Sequence, residues 1–291
     1  MQKFIGTGVA LITPFKDDLS VDFNALEKLV NYNIENGTNY LVINGTTAES
    51  ATISKQERQQ IINAIVKVNA NRVPLVLGIG GNNTMAVVED IKNTDLSKID
   101  GILSVAPYYS KPTQEGFYQH FKAIAQATQK PIILYNVPGR TAKNMDASTT
   151  IRLAKDFKNI VGVKEAGNNT QQYLELLRDK PADFLIISGD DDLALGVTLA
   201  GGSGVISVIG QAYPKAFSNM INCGLEGKNK EGYATHFKLM EIIDLIFAEN
   251  NPAGIKTVLQ ELGICKNTVR LPLVCASKEL ENKIATFVAG F

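Results

Sequence analysis

The chain has 291 residues, of which 45% are hydrophobic and 20% charged, an ordinary composition for a globular protein with a sizeable core. The 29 basic and 29 acidic residues give a formal net charge of zero, so no global field favours nucleic acid or an anionic membrane as a partner. No apolar run approaches the roughly 20 residues that span a bilayer, and the N-terminal residues show no signal-peptide pattern. The length suits two small domains or one large α/β barrel.

Cysteine and histidine are sparse. Cys223, Cys265 and Cys275 lie far apart without metal-type spacing, and an odd, sparse set is typical of reduced thiols in a cytosol. His120 and His236 are too few for a histidine-based metal site. We therefore expect a cytoplasmic protein without a histidine-based metal centre.

Short apolar runs alternate with amphipathic stretches along most of the chain. Ser54-Lys55-Gln56-Glu57 predicts a capping box before one of the helices. Asp190-Asp191-Asp192 is expected to supply carboxylates to the first turn of another helix. Eight unbroken βα units predict a (β/α)8 barrel; a doubly wound sheet is the alternative, but the regular repetition favours closure. The strand candidates are 8–13, 40–44, 75–80, 101–105, 132–135, 160–164, 184–188 and 204–208.

The pattern changes to helix alone after the eighth unit. Four helical stretches follow, and Asn250-Asn251-Pro252 separates the second from the third. We expect residues 1–225 to form the barrel with the active site. Residues 226–291 are expected to form a C-terminal helical extension, packed against the barrel or a partner subunit.

Lys164 ends an apolar strand candidate and carries most of the functional prediction. Ile160, Gly162 and Lys164 share one face of the strand, so Gly162 is expected to leave space beside the lysine stem. A buried ammonium is costly, and an amine that loses its proton can form a Schiff base with a ketone. A solvated strand end is the alternative.

Tyr135 ends the preceding strand candidate on the face of Ile133. If the two strands pair in parallel, they lie about 4.8 Å apart, so the Tyr135 phenol and the Lys164 amine would share one small site. The alternative is a packed ring with its hydroxyl group in water. Barrel active sites lie at the C-terminal ends of the strands, where both residues fall.

Three loops at the same end of the barrel carry further candidates. Gly45, Thr46 and Thr47 suit a small carboxylate through backbone N–H and hydroxyl groups, although Thr46-x-x-Glu49 is also a capping-box pattern. Tyr108-Tyr109 stands on a proline-bounded loop and is typical of a half-buried interface or of local packing. Arg140 could bind a carboxylate with two hydrogen bonds, or be a surface charge.

The loops give the sequence a family resemblance. The chain resembles the dihydrodipicolinate synthase group of the pyruvate-dependent aldolase superfamily, which also contains N-acetylneuraminate lyase. The likeness runs nearly end to end, with alanine at position 48 where the family usually has glycine. The motifs that carry it are Gly45-Thr46-Thr47-Ala48-Glu49-Ser50, Pro107-Tyr108-Tyr109, Tyr135-Asn136-Val137-Pro138-Gly139-Arg140-Thr141, Gly162-Val163-Lys164-Glu165 and Ser188-Gly189-Asp190-Asp191.

The resemblance implies the chemistry and the partners. Lys164 would condense with pyruvate, and the resulting enamine would attack the aldehyde of aspartate-4-semialdehyde to give hydroxy-tetrahydrodipicolinate, on the route to diaminopimelate and lysine. No metal or cofactor is implied, because the iminium nitrogen is itself the electron sink. A homotetramer built from two tight dimers is expected.

The resemblance also implies residue roles. Tyr135 would relay protons, Thr46 would bridge it to Tyr109, and Tyr109 would enter the neighbouring subunit's site. Backbone N–H groups of Thr46 and Thr47 would hold the pyruvate carboxylate, and Arg140 the semialdehyde carboxylate. Backbone carbonyls near Gly189 and Ile206 would line the lysine.

Two alternatives and one regulatory expectation remain. An aldolase acting on a sugar acid, such as N-acetylneuraminate lyase, is disfavoured by Arg140, which suits a second short carboxylate. A silent metabolite-binding barrel is disfavoured because the chemical residues are all present. In lysine-sensitive relatives, residues matching Ser50, Ala51, Asn82 and Tyr108 line an allosteric pocket. The departures at Lys55, Arg58 and Ala86 predict weak or absent lysine inhibition.

Overall fold

The eight predicted strands form one closed, all-parallel barrel in a computed structural model that describes residues 2–291. Each strand pairs with the next in the chain, and β8 pairs with β1. The predicted (β/α)8 architecture is therefore confirmed. The strands are β1 Gly6–Ala10, β2 Tyr40–Ile43, β3 Leu75–Gly78, β4 Gly101–Val105, β5 Ile132–Asn136, β6 Ile160–Glu165, β7 Leu185–Ser188 and β8 Gly204–Ser207.

Helices surround the barrel and continue beyond its last strand. The predicted capping box is confirmed, since the Glu57 N–H donates to the Ser54 side chain and the Ser54 N–H donates to the Glu57 carboxylate. The helices are α1 Phe23–Glu35, α2 Lys55–Asn69, α3 Thr84–Asn93, α4 Gln114–Gln126, α5 Pro138–Thr141, α6 Ala147–Asp156, α7 Thr170–Asp179, α8 Ala194–Leu199, α9 Pro214–Leu225, α10 Asn229–Phe247, α11 Ala253–Glu261 and α12 Lys278–Gly290. No helix within residues 2–291 combines the length and apolar character that a membrane span requires.

The expectation for the three aspartates was wrong. Helix α8 begins only at Ala194, and no side chain caps it. Asp191 is buried instead and accepts N–H groups of Val208 at 3.1 Å and Ile209 at 2.8 Å. Its carboxylate therefore connects the loop after β7 to the loop after β8. It accepts backbone N–H groups of the second loop instead of those in the first turn of α8.

Two apolar layers position the functional end of the barrel. The larger layer fills the space between the sheet and the surrounding helices. The smaller one fills the barrel interior and includes Tyr40, Ile133, Tyr135, Ile187 and Ile206. Because the interior is packed with side chains, the groups predicted to be catalytic at the strand ends rest on a well-packed apolar core.

The helices after β8 return the chain to the barrel. Helix α9 packs against β1 and β8 and completes the outer ring. Helix α10 packs on α8 and α9, and α11 packs on α10 and α12. The segment between α10 and α11 thereby reaches the C-terminal ends of the strands.

Candidate active site

Tyr135 and Lys164 are direct neighbours on adjacent strands. They occupy paired positions of β5 and β6, and Lys164 Nζ lies 4.5 Å from the centre of the Tyr135 ring. Only 5% of Lys164 and 8% of Tyr135 is exposed. The structure therefore brings the amine and the phenol into one buried site, and the alternative of a solvated strand end is wrong.

Gly189, rather than Gly162, makes room for the lysine. A Cβ at position 162 would meet Leu185 at 2.8 Å, so Gly162 allows β7 to approach β6. A Cβ at position 189 would lie 3.1 Å from Lys164 Cε. The prediction for Gly162 was wrong because the neighbouring strand fills the space beside it, a feature that alternation along one strand does not reveal.

A cavity of about 90 Å³ opens at Lys164 and collects most of the predicted residues. Thr46, Thr47, Arg140 and Gly189 all line it with the lysine. Ile206 is fully buried in the barrel interior, in the same apolar cluster as Tyr135. The full lining is Ala10, Gly45, Thr46, Thr47, Leu103, Tyr135, Val137, Arg140, Lys164, Ala166, Gly189, Asp190, Val208, Phe247 and Asn251.

The loop after β2 forms a short 3-10 turn, Thr46–Ala48, at the cavity wall. Its hydrogen bonds are donated by Ala48 N–H to Gly45 and by Glu49 N–H to Thr46. The N–H groups of Thr46 and Thr47 are therefore free within the turn, as the first donors of a helix are. The capping-box alternative was wrong, since within residues 2–291 no side chain caps this turn.

Arg140 lies on α5, a single turn that starts with Pro138. Its backbone N–H donates to the Val137 carbonyl at 2.9 Å, and its exposed side chain borders the cavity mouth. Within residues 2–291 its guanidinium forms no ion pair. This leaves a cation available at the mouth for a carboxylate ligand.

Tyr109 does not join the cavity of its own chain. Its side chain is 89% exposed, and its backbone adopts a left-handed φ of 67°. Among residues 2–291 no hydrogen bond joins Thr46 to Tyr135 or to Tyr109. The relay through these three residues stays a prediction that needs a second subunit.

Asp190, Phe247 and Asn251 are polar or aromatic lining residues that were missed as site residues. Asp190 belongs to the family motif Ser188-Gly189-Asp190-Asp191, and this motif could have identified it as a site residue. Phe247 and Asn251 come from the end of α10 and the segment after it, and Asn251 Nδ2 donates to Thr47 Oγ1 at 3.0 Å. The helix break before Pro252 marked a loop, but nothing in its pattern indicated that this loop reaches Lys164.

Two buried carboxyl groups in or next to the site have raised pKa values. Burial and the nearby Asp192 raise the pKa of Asp190 to about 6, although the Lys164 charge acts in the opposite direction. Burial also raises the pKa of Glu165 to about 7, partly offset by hydrogen bonds from Asn136 and Gln172. Asp190, which lines the cavity with Lys164, and Glu165, on the opposite face of β6, therefore both have carboxyl pKa values raised towards neutrality. Within residues 2–291 no three His, Cys, Asp or Glu side chains are grouped as metal ligands.

Comparisons with known proteins agree along the whole chain. The model of the dihydrodipicolinate synthetase family matches residues 3–289. A 4-hydroxy-tetrahydrodipicolinate synthase from Flavobacterium psychrophilum is 58% identical over 287 residues, covering 99% of this chain and 98% of the relative.

Solved structures that resemble this chain are also dihydrodipicolinate synthases. The dihydrodipicolinate synthase of Acinetobacter baumannii complexed with pyruvate is 38% identical, with a TM-score of 0.95 and 98% of each chain covered. The enzyme of Cyanidioschyzon merolae with lysine bound is 36% identical, with a TM-score of 0.94 and coverage of 99% of each chain. The chain therefore belongs to the dihydrodipicolinate synthetase family.

Proposed function

We propose that this chain is a 4-hydroxy-tetrahydrodipicolinate synthase that condenses pyruvate with L-aspartate-4-semialdehyde through a Schiff base on Lys164. The observation that carries the proposal is the buried Lys164–Tyr135 pair in a cavity with Arg140 at its mouth. The relative from F. psychrophilum carries this activity as its name, and the A. baumannii structure holds pyruvate.

The reaction starts at the lysine amine. Lys164 Nζ attacks the ketone carbon of pyruvate, water leaves, and an iminium forms. Loss of a methyl proton gives an enamine. Its carbon adds to the aldehyde carbon of the semialdehyde, the aldehyde oxygen takes up a proton and becomes a hydroxyl group, and the iminium forms again. The amino group of the second substrate then attacks the iminium carbon, closes the ring and displaces Lys164.

The cavity supports a distinct place for each carboxylate. The free N–H groups of Thr46 and Thr47 would bind the pyruvate carboxylate at the cavity wall. Arg140, which has no ion pair within residues 2–291, would bind the semialdehyde carboxylate at the mouth. Backbone carbonyls near Gly189 and Ile206 would line the amine.

Proton transfer is assigned to the phenol beside the amine. Tyr135 would pass protons to and from the intermediates through Thr46 and the partner subunit's Tyr109. The exposed Tyr109 supports this assignment, because a ring that is 89% exposed in one chain is free to enter the site of a neighbouring subunit.

We propose a homotetramer made of two tight dimers.

The chain organisation and location are part of the proposal. Residues 1–225 would form the barrel and 226–291 a helical extension that completes the site, since Phe247 and Asn251 line the cavity. The three cysteines are unpaired, which supports a reducing cytoplasm.

Borohydride trapping tests the proposal directly. Reduction in the presence of pyruvate should attach one reduced pyruvate to the peptide that contains Lys164. The Lys164→Ala variant should lose the adduct and turnover, whereas Lys155→Ala, which changes an exposed lysine at the end of α6, should keep both. A coupled assay with aspartate-4-semialdehyde, run beside N-acetylneuraminate cleavage, identifies the substrate. An adduct on another lysine, or cleavage of the sugar acid alone, contradicts the proposal.

A further inference from the structure

Lys256 is a fully buried lysine outside the Lys164 cavity. It lies on α11 with none of its surface exposed, and its Nζ donates to Glu49 Oε1 at 2.5 Å and to the Thr268 carbonyl at 2.8 Å. The same nitrogen lies 4.2 Å from the centre of the Phe15 ring. These three contacts of the nitrogen are two acceptors and an aromatic face, which suit a charged amine and offset the cost of its burial.

Glu49 is the matching buried anion, on the loop after β2. Its side chain is fully buried, and its second carboxylate oxygen accepts the Arg270 backbone N–H at 2.9 Å. Its backbone adopts the left-handed conformation, with φ 57° and ψ 37°. The left-handed conformation is unfavourable for a glutamate backbone. The contacts of the Glu49 side chain therefore stabilise a turn that the backbone alone does not favour.

The Glu49 turn directly follows the residues that bind the substrate in our proposal. Glu49 N–H donates to the Thr46 carbonyl at 3.0 Å and closes the turn that presents Thr46 and Thr47. Asn251, five positions before Lys256, donates to Thr47 Oγ1. The C-terminal extension therefore contacts this turn at Thr47 and at Glu49, the residue that ends it.

We infer that Lys256 and Glu49 are positioning residues for the pyruvate carboxylate. Their buried ion pair connects α11 to the loop after β2 and fixes the N–H groups of Thr46 and Thr47 relative to Lys164. The inference rests on the proposed function and deepens it, since it assigns the extension a role in binding one of the two substrates. Arg140 lies on α5 and does not contact this pair, so binding of the second substrate should be independent of it.

Two variants separate positioning from stability. Lys256→Met leaves a buried carboxylate without its partner and should lower the thermal midpoint. The double variant Glu49→Gln, Lys256→Met has no buried charge at this place, and replacing both partners of a buried pair often restores stability. A purely structural pair would then leave pyruvate binding normal in the double variant.

The positioning role predicts a selective loss. In the double variant, the thermal midpoint should return towards the wild-type value. KM for pyruvate should nevertheless be at least about threefold above that of the wild type. The pyruvate concentration for half-maximal borohydride trapping should rise by the same factor, and KM for the semialdehyde should not change. Lys266→Met is the matched control, because Lys266 lies on the same extension and its ion pair with Asp17 is exposed.

Opposite results overturn the inference. A stable double variant with pyruvate KM less than threefold above wild type shows that the pair only stabilises the fold. An equal rise in KM for both substrates shows a general distortion. Failure of the proposed function would appear separately, as absent trapping or turnover in the wild-type protein.

Discussion

Gly189 lies against Lys164: a Cβ on residue 189 would come within 3.1 Å of Lys164 Cε and within 2.6 Å of the Ala166 Cβ. Contacts this short force one of the groups to move. The absence of a side chain at position 189 thus leaves room for the Lys164 stem where it lies in the cavity.

We expect Gly189→Ala to reduce kcat/KM for pyruvate by at least about tenfold, because the Lys164 stem must move by a few tenths of an ångström and even a small misplacement of a nucleophile is costly in rate. The check is steady-state kinetics together with the rate of borohydride trapping. Gly196→Ala on α8 is the matched control, since its Cβ would meet only the Tyr233 hydroxyl at 3.7 Å. Trapping at the wild-type rate in Gly189→Ala would show that the lysine adapts without loss.

Activity should depend on a second subunit. Mixing the two inactive variants Tyr109→Phe and Lys164→Ala and allowing subunit exchange should restore about a quarter of wild-type activity. Half of the dimers are then mixed, and each mixed dimer has one site with both native groups. Activity should be followed by the condensation assay, and the mass of the assembly by light scattering on the same samples. A fully active monomer, or no recovery after verified exchange, would contradict this role of Tyr109.

Free lysine should inhibit weakly or not at all. Lys55 and Arg58 line a cavity of about 570 Å³ with Ser50, Ala51 and Tyr108, where a cationic ligand meets like charges. Arg58 pairs with Asp90 at 2.7 Å, which occupies the carboxylate that lysine would otherwise use. The absent carboxylate at Ala86 should cost about 3 kcal/mol, or roughly 100-fold in affinity.

A lysine titration at saturating pyruvate measures this directly. We expect half-inhibition above about 1 mM, an affinity of about 4 kcal/mol. Ala86→Glu should increase sensitivity to lysine, because it returns a carboxylate to an exposed position on α3. Half-inhibition of the wild type below that concentration would show that the cavity accepts a cation in spite of Lys55 and Arg58.

Glu165 should make the folded protein less stable as the pH rises from about 4.5 to about 7. Its pKa is raised from 4.5 to about 7 by burial, so the folded chain keeps a proton that the unfolded chain has released. The stability from this proton is complete below pH 4.5 and lost above pH 7, a difference of about 3 kcal/mol in the free energy of unfolding.

Urea unfolding between about pH 5 and 8 tests this dependence. The Glu165→Gln variant should show a flatter profile than the wild type, because the amide does not titrate. Glu89→Gln on the exposed side of α3 is the control and should keep the wild-type slope. Equal slopes for Glu165→Gln and the wild type would mean that Glu165 is ionised when buried.

The sequence by itself determined the barrel and the neighbouring positions of Lys164 and Tyr135. Alternating apolar runs and helices fixed eight βα units, and the end of each strand identified Lys164 and Tyr135 as neighbours. These predictions succeeded because strand period and direction are local properties, and a parallel barrel places all strand ends on one face.

Only the tertiary structure decided which distant groups complete the site. Gly189 rather than Gly162 faces the lysine, and Glu49 pairs with Lys256, which lies 207 positions away in the chain. Asn251 likewise reaches Thr47 from the extension. Such contacts depend on how α10 and α11 pack over the barrel end, and a local hydrophobic pattern specifies which face of a helix is buried but not which residue it meets.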